Sequence, residues 1–255
     1  MSTQPVYEAK GVVRTFGNVR ALQGADFDVR PGEVSALIGD NGAGKSTLVR
    51  ILAGADTANE GTLLFEGKPL ELKTAIDARE RGIETVYQDL ALANHLNPIQ
   101  NMFLGREVMK PGILGKLGFM ERAQMRGHGI EAFADLGATV RDFDSPVASM
   151  SGGQRQAIAV ARAAAWASKV IFLDEPTAAL GVVQTKGVLD LVRRIRDKGV
   201  GVVLISHSMP EVLEVADRVH VLRHGKRVAV YQGKDSSVEE LVGAMTGSLD
   251  GKDVA

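Results

Sequence analysis

The feature that most constrains this fold is a glycine-rich loop at residues 39–47, which lies between a largely apolar run and an amphipathic segment. The run Val34–Ile38 is typical of a buried strand, and apolar residues recur at helical spacing after the loop. Glycines between a strand and a helix let the backbone turn around an anion with its N–H groups directed at it. The sequence therefore predicts an α/β fold with a phosphate-binding loop behind its first buried strand.

The loop also carries the side chains that nucleotide chemistry needs. Its residues are Gly39, Asp40, Asn41, Gly42, Ala43, Gly44, Lys45, Ser46 and Thr47. The Lys45 side chain is long enough to reach the β and γ phosphates, and its positive charge would pair with them. The Ser46 hydroxyl is a suitable ligand for Mg²⁺. An ordinary glycine-rich turn is the alternative, but the helix that follows favours a nucleotide site.

Further candidate catalytic residues follow two later strands. Asp174 and Glu175 come directly after a continuous apolar run, and His207 follows the next one. Asp174 is suited to hold Mg²⁺ through water, and Glu175 to orient or deprotonate an attacking water. Parallel strands bring such ends to one edge of a sheet. The alternatives are a strand-ending turn for the carboxylates and a packed or capping role for the histidine.

A second anion-binding pattern opens a later helix. Its residues are Ser151, Gly152, Gly153 and Gln154. A serine and two glycines at a helix N-terminus suit contact with phosphate. Because the chain already has one phosphate loop, this second one makes sense if it serves the nucleotide of a partner subunit. A flexible Ser-Gly-Gly hinge is the alternative.

Composition excludes several classes of protein. Thirty Lys and Arg against 31 Asp and Glu leave a net charge of −1, which offers no broad attraction to nucleic acid. The absence of cysteine excludes disulfides, thiolate zinc sites and a cysteine nucleophile. The first residues lack the pattern of a signal peptide. The apolar stretch 157–167 is interrupted by Arg162 and is too short to span a bilayer.

The pattern along the chain predicts one domain with several parts. We expect an antiparallel β layer and the first part of the core in residues 1–88, and a helical subdomain in 89–158 that includes the Ser-Gly-Gly-Gln stretch. Alternating strands and helices in 159–247 complete a mostly parallel core, and 248–255 form a loose tail.

Local signals predict how some of these elements begin and turn. Ser208 with Glu211, and Ser237 with Glu240, have the spacing of capping boxes. A hairpin is expected at 224–225, between two strands near the C-terminus.

Together, residues 39–47, 151–154 and 173–177 with His207 resemble the ATP-binding cassette subunit of ABC transporters, in the expected order over nearly the whole chain. The resemblance implies a P-loop RecA-like core. It also implies that Phe16 stacks on adenine and that Gln88 senses Mg²⁺ and the membrane subunit. A core position for Phe16 and a strand-edge position for Gln88 are the alternatives.

Within that family, residues 16–22, 40–45 and 176–181 are most similar to the ATPases of bacterial ribose, xylose and fructose importers. Two positions depart from the usual pattern. Met150 stands where the family has Leu, a mild apolar exchange. Gly181 stands where a carboxylate usually links the two sites of a dimer, which weakens the expected coupling between them.

The resemblance implies a transport ATPase with ATP and Mg²⁺ as cofactors, peripheral on the cytoplasmic face of the cell membrane. It implies three partners: a second copy that completes an ATP sandwich, membrane-spanning permease subunits and, indirectly, a periplasmic solute-binding protein. No nucleic-acid partner is expected. Alternatives are an importer of another small solute, an exporter, or a soluble ABC ATPase.

The segment 90–101 follows Gln88 and carries Leu90, Leu92 and Leu96 among small polar residues. We expect it to form a partly apolar groove that receives a helix of the membrane subunit. Core packing of the three leucines is the alternative.

Overall fold

The computed structural model describes residues 4–248, so the expected loose tail lies outside the described residues, apart from residue 248. Within that range the chain forms two β-sheets. An antiparallel sheet contains β1 (Tyr7–Phe16), β2 (Val19–Val29), β4 (Glu60–Phe65) and β5 (Lys68–Leu70), in the order β2-β1-β4-β5. The predicted N-terminal antiparallel layer is therefore confirmed.

The second sheet forms the core of the described chain. Its strands are β3 (Val34–Ile38), β6 (Ile83–Val86), β7 (Val170–Asp174), β8 (Gly201–Ile205), β9 (Arg218–Arg223) and β10 (Lys226–Gln232), in the order β10-β9-β3-β8-β7-β6. All neighbours are parallel except β9 and β10, which form the predicted hairpin. In this register Leu37 pairs with Ile205, and Asp174 with the same Ile205, so the carboxyl ends of β3, β7 and β8 are adjacent.

Helices cover the parallel sheet and build a separate region beside it. They are α1 (Lys45–Leu52), α2 (Ala75–Glu80), α3 (Pro98–Phe103), α4 (Ile113–Lys116), α5 (Arg122–Asp135), α6 (Gly152–Trp166), α7 (Val182–Asp197), α8 (Met209–Val215) and α9 (Val238–Thr246). Their apolar faces are buried: α7, for example, buries Val188, Leu191, Val192 and Ile195 at helical spacing.

The region between β6 and β7 is helical, as the sequence predicts. Its helices α3 and α5 pack against each other and against α6, and no strand longer than an isolated bridge lies in this stretch of the described chain. The predicted boundary at residue 158 falls inside α6, which begins in the helical region and ends at the core sheet. The exact subdivision of the domain remains a prediction.

One predicted cap is confirmed and another is wrong. Ser237 and Glu240 form a capping box at α9. At α8 the Ser208 side chain makes no capping hydrogen bond, because the Glu211 carboxylate instead accepts a hydrogen bond from the Thr177 hydroxyl. This contact ties α8 to the loop after β7.

A buried ion cluster ties the two sheets together. Arg218 donates to Glu33 Oε1 at 2.7 Å and to Asp28 Oδ2 at 2.7 Å, and Arg227 reaches Asp28 Oδ1 at 3.0 Å. The Arg218 side chain is only 8% exposed, so its charge is balanced by the carboxylates of Glu33 and Asp28 and little by water. None of the helices in the described residues has the length and apolarity to cross a membrane.

Candidate active site

The ends of three parallel strands and the loop after β3 enclose a cavity of about 950 Å³. Its lining residues are Val19, Arg20, Ala21, Gly39, Asp40, Asn41, Gly42, Ala43, Gly44, Lys45, Ser46, Thr47, Gln88, Asp174, Glu175, Ile205, His207 and Met245. All nine residues of the predicted phosphate loop are among them, together with the four polar residues that the sequence places at other strand ends. The position agrees with the rule that parallel sheets bind ligands at their carboxyl edge.

The loop requires glycine at two positions for steric reasons. At Gly39 a Cβ would overlap the carbonyl oxygen of Leu222. At Gly44, where φ is 102°, a Cβ would lie 2.7 Å from the carbonyl oxygen of Ala21 and 2.8 Å from Leu22. The loop backbone therefore packs directly against β9 and β2, with no room for a side chain at these two positions. Gly44 also begins α1, whose N-terminus favours negative charge.

Lys45 places a positive charge in the cavity beside the loop. Its Nζ donates to the carbonyl oxygen of Gly39 at 2.6 Å and to that of Asp40 at 3.1 Å. Burial lowers the pKa of Lys45, while the carboxylates of Glu175, Asp40 and Asp174 oppose that effect. The ammonium group is therefore partly desolvated and suited to pair with an anion.

Asp174 is also partly desolvated, but its charge is negative where that of Lys45 is positive. Burial raises the pKa of Asp174, the neighbouring Glu175 carboxylate raises it further, and Lys45 lowers it. A buried carboxylate beside a second negative charge favours a nearby cation. The Asp174 side chain is therefore suited to a site that receives a metal ion.

Glu175 sits on a constrained turn next to His207. Its φ of 50° is in the left-handed region, unusual for a residue with a side chain and typical of functional sites. Its backbone N–H donates to the carbonyl oxygen of Ile205 at 2.9 Å, which joins the turn to the end of β8. His207 Nδ1 lies 3.1 Å from Glu175 Oε1, with the histidine side chain 70% exposed and the glutamate 25% exposed. The pair is thus oriented at the mouth of the cavity.

The donor groups around the cavity fit a magnesium ion bound together with a phosphate. Among the described residues no cluster of three or more His, Asp or Glu side chains forms a metal site by itself. Ser46, Gln88 and Asp174 nevertheless all line the same cavity as the phosphate loop. Mg²⁺ is usually held by one or two carboxylates plus substrate phosphates and water, so this donor set is adequate.

Two sets of predicted residues are not part of this cavity. Phe16 ends β1 at 45% exposure, with the Arg14 guanidinium 4.7 Å from its ring centre, and among the described residues Val19 to Ala21 line the cavity on that side instead. Ser151, Gly153 and Gln154 line a different cavity of about 410 Å³ between α6 and α7. The Ser151 hydroxyl accepts from the Gln154 N–H at 3.3 Å, which begins α6 as a capping box.

Sequence reasoning missed the role of Arg162. Its Nη1 donates to the carbonyl oxygen of Ala91 at 2.7 Å, and its Nη2 to that of Leu90 at 3.0 Å. Leu90 and Ala91 have φ values of 60° and 44°, two consecutive left-handed residues that follow Gln88. Arg162 lies on α6, ten positions after Gly152, so it joins the Ser-Gly-Gly-Gln helix to the segment after Gln88. The only sequence signal was a charge inside an apolar helix.

A groove of about 570 Å³ adjoins that contact. It is lined by Arg79, Glu84, Thr85, Ala91, Asn101, Met102, Leu104, Gly105, Arg106, Glu107, Arg162, Ala163 and Trp166. Of the three leucines expected to form a docking surface, Leu90 and Leu92 pack against the core, as the core-packing alternative states. Leu96 is half-buried. The groove is therefore built from α3, the loop after it and α6 more than from the leucines.

A family model described as ABC transporter matches residues 22–178, more than half of the chain. The chain belongs to the ABC transporter family. Its arrangement of phosphate loop, strand-end carboxylates and Ser-Gly-Gly-Gln helix is that of an ABC ATPase domain, which binds nucleotide and hydrolyses ATP. The sequence-based assignment to this family is confirmed.

Sugar importers are among the most similar relatives. The chain is 49% identical to the fructose import ATP-binding protein FrcA of Rhizobium meliloti, over 98% of this chain and 97% of FrcA. It is 44% identical to the xylose/arabinose import ATP-binding protein XylG of Sulfolobus acidocaldarius, over 96% and 95%. The ribose import ATP-binding protein RbsA 1 of Rubrobacter xylanophilus is 41% identical over 94% of this chain, which spans 47% of that protein.

Solved structures of ABC cassettes share the fold. The ADP conformation of MJ1267, an ATP-binding cassette of an ABC transporter, has a TM-score of 0.80 at 25% identity and covers 94% of this chain and 96% of its own. The cassette MJ0796, described as a dimer in a post-hydrolysis state with ADP and Pi, has a TM-score of 0.74 at 23% identity, over 90% and 100%. The ABC ATPase fold that the sequence predicts is confirmed.

Proposed function

We propose that this chain is the ATP-hydrolysing subunit of an importer that takes up a monosaccharide through separate membrane subunits. The observation that carries the proposal is the convergence of Lys45, Asp174, Glu175 and His207 on one cavity. The relatives above carry names that refer to import of fructose, xylose or arabinose, and ribose. A place on the cytoplasmic face of the membrane is part of the same proposal.

Hydrolysis begins with ATP seated on the loop of residues 39–47, where backbone N–H groups and Lys45 contact its phosphates. Water attacks the γ phosphorus as the bond to the β,γ-bridging oxygen breaks. Glu175 orients that water and takes its proton, and His207, 3.1 Å away, holds the Glu175 carboxylate in place. Lys45 stabilises the charge on the phosphate oxygens, an effect strengthened by its partial desolvation.

Ser46, Gln88 and Asp174 are the residues we assign to Mg²⁺. The ion neutralises phosphate charge when bound. Their common position on the cavity wall and the raised pKa of Asp174, caused first by burial, support this assignment. Gln88 precedes the segment that Arg162 holds, so its position depends on the groove beside α3.

A second copy of the chain completes the site in our proposal. Residues 151–154 lie outside the cavity of their own chain, which leaves them able to serve the nucleotide of another. Val182 and Val183 begin α7 next to this helix at 88% and 81% exposure, apolar surface that a partner would cover. The stacking of Phe16 on adenine stays a prediction, with its half-exposed ring available to a nucleotide.

The groove beside α3 is where we propose that the permease docks. Arg79 and Arg162 line it without a carboxylate partner among the described residues, while Arg106 pairs with Glu84. An acidic or carbonyl-rich helix end of a membrane subunit would satisfy the Arg79 guanidinium and place negative charge beside Arg162, which already donates to Leu90 and Ala91. A periplasmic solute-binding protein would then act through the permease and not on this chain.

The Glu175→Gln variant tests the site and the second copy together. The amide keeps the shape of the side chain but cannot take a proton, so we expect turnover to fall by about 10²–10⁴-fold while ATP still binds. ATP should then hold two copies together, which light scattering detects as a doubled mass. Unchanged turnover would contradict the role of Glu175. A monomer at saturating ATP with permease present would contradict the dimer.

The sugar is tested in the assembled transporter. Proteoliposomes that contain this subunit with a candidate permease and binding protein should accumulate a labelled monosaccharide only when ATP is supplied on the side of the membrane that carries this subunit. The Glu175→Gln variant is the matched control. Accumulation of a different solute, with no monosaccharide uptake, would contradict the substrate class and leave the ATPase assignment intact.

A further inference from the structure

A small hairpin, residues 109–120, projects from the helical region between α3 and α5. Met109 and Met120 form an antiparallel bridge at its base, where the Lys110 N–H donates to the Phe119 carbonyl oxygen at 2.8 Å. Helix α4 forms its tip, and the Phe119 N–H donates back to the Leu114 carbonyl oxygen at 3.0 Å. These backbone bonds give the hairpin a defined conformation.

Gly115 shows how tightly the hairpin is closed. A Cβ at this position would overlap the Lys110 carbonyl oxygen. The backbone therefore fills the inside of the hairpin, and the larger side chains have no room there. They are directed outward by the same closure.

The outward side chains are almost all apolar. Met109, Ile113, Leu114, Leu117 and Phe119 are 48%, 77%, 50%, 68% and 55% exposed. Single exposed apolar residues are normal on a protein surface, but five within twelve residues form a patch that indicates an interaction site. The patch lies on a projecting hairpin. A peptide or helix is usually bound in a groove, so the shape of this patch does not favour such a partner.

The charge of the hairpin indicates what it meets. Residues 108–120 contain Lys110 and Lys116 and no Asp or Glu. Neither lysine forms an ion pair with any described residue, since the pairs nearby are those of Arg106 with Glu84 and Arg126 with Asp144. The acidic side chains closest in sequence, Glu107 and Glu121, flank the base, and Glu107 accepts from the Gly105 N–H at 3.0 Å. The tip is therefore apolar and positively charged.

We propose that the hairpin of residues 109–120 inserts its apolar tip into the headgroup region of a membrane with anionic lipids, with Lys110 and Lys116 on the lipid phosphates. Large apolar residues beside lysines are the composition of segments that lie in a bilayer interface. The proposal rests on the proposed function, because Leu104 to Glu107 line the groove assigned to the permease and lead directly into the hairpin. Docking there would bring the hairpin close to the membrane that holds the permease.

The chain has no cysteine, so one introduced thiol can be labelled alone. Leu117→Cys, carrying a polarity-sensitive dye, is mixed with vesicles of phosphatidylglycerol and phosphatidylcholine or of phosphatidylcholine alone, without permease. We expect a blue shift of the dye with the anionic vesicles that decreases at high salt. Ile76→Cys, 61% exposed on α2, is the matched control and should not shift.

A second variant tests the charges. Lys110→Gln with Lys116→Gln should weaken binding to the anionic vesicles by about 30-fold, from roughly 1 kcal/mol per lysine at an anionic surface. ATPase activity in solution should stay unchanged, because neither lysine lines the nucleotide cavity.

Three results would overturn the proposal. In the first, the emission of the dye at residue 117 does not shift with anionic vesicles. In the second, the dye at residue 76 shifts by the same amount. In the third, the dye at residue 117 shifts only when permease is reconstituted, which would assign the hairpin to a protein partner. The ATPase activity of the same labelled protein separates these outcomes from a failure of the proposed function, since a chain that hydrolyses no ATP would contradict the function and not the hairpin.

Discussion

Replacing Arg162 with Met removes the two hydrogen bonds that hold the segment after Gln88. The guanidinium donates to the carbonyl oxygens of Ala91 and Leu90 at 2.7 and 3.0 Å. Methionine keeps much of the apolar stem that packs along α6 but donates nothing. The substitution therefore isolates the hydrogen bonds from the packing.

Two free energies decide the outcome. Hydrogen bonds from a charged group contribute about 1.5–3 kcal/mol each, but the Ala91 carbonyl is exposed and water will replace that bond. Burial lowers the pKa of Arg162, so removing the charge also recovers desolvation energy. We expect the free energy of unfolding to fall by only about 1–2 kcal/mol. Each left-handed residue costs roughly 1–2 kcal/mol, which favours another conformation of the segment once the guanidinium is gone.

The expected result is a folded enzyme with a misplaced Gln88. A shift of about 1.4 kcal/mol in the conformation of the segment reduces the competent fraction tenfold, so kcat should fall by about tenfold. KM for ATP should change little, because Lys45 and the phosphate loop are distant in the chain and untouched. Steady-state ATPase measurements and thermal denaturation of the same preparation separate the two effects. Arg122→Met, at an exposed arginine of α5, is the matched control.

A second substitution tests whether Arg162 acts by holding this turn. Glycine adopts the left-handed conformation without strain, so Ala91→Gly in the Arg162→Met background should recover about fivefold in kcat, from about 1 kcal/mol of relieved strain. If Arg162→Met leaves kcat unchanged, or if Ala91→Gly recovers nothing, then Arg162 does not act by holding this turn.

Three further substitutions test the site. Lys45→Ala should abolish turnover and weaken nucleotide binding, because a methyl group cannot offset phosphate charge; unchanged turnover would refute the assignment. Asp174→Asn should abolish turnover yet stabilise the nucleotide-free protein: burial raises the folded pKa of Asp174, so its ionised form opposes folding at any pH above its unfolded value. Equal melting temperatures at pH 7 would contradict that. Gly181→Asp should raise the cooperativity of the ATPase rate with ATP concentration in the assembled transporter; a wild type that is already strongly cooperative and is unaffected by the substitution would refute this.

The backbone at Gly181 can accept an aspartate. Its φ is −76° and ψ is 165°, an extended conformation at the N-cap of α7 that aspartate adopts without strain. A Cβ there would lie 2.8 Å from Gln184 Oε1, the end of a flexible side chain that can move. Aspartate is also a better N-cap than glycine by a few tenths of a kcal/mol. The glycine is thus not required by the backbone, and Gly181→Asp should fold normally.

Much of the site could be predicted because its parts are local patterns. The loop 39–47 is recognisable from its glycines, its lysine and the strand and helix on either side. Asp174 and His207 are recognisable because each follows an apolar run, and parallel strands must end at a common edge. These arguments need only neighbours in sequence and the rules of sheet geometry. The structure places all of these residues on one cavity.

The failures all involve partners distant in sequence. The expected cap at Ser208 is absent because Glu211 pairs with Thr177, 34 residues earlier. In the sequence, Arg162 is only a charge that interrupts an apolar helix. The fold places it against Ala91 and Leu90, which are 71 and 72 positions away in the chain. Leu90 and Leu92, which the sequence suggests as docking surface, are partly buried against the core.

The sequence by itself determined the order of the elements, the phosphate loop and the chemistry at the strand ends, because hydrophobic period, glycine sterics and strand direction act over a few residues. Only the tertiary structure decided which side chains meet across the chain. It joined Arg162 to the turn after Gln88, kept residues 151–154 out of their own chain's cavity and left the hairpin 109–120 exposed. These outcomes depend on packing between distant segments, which composition and spacing do not specify.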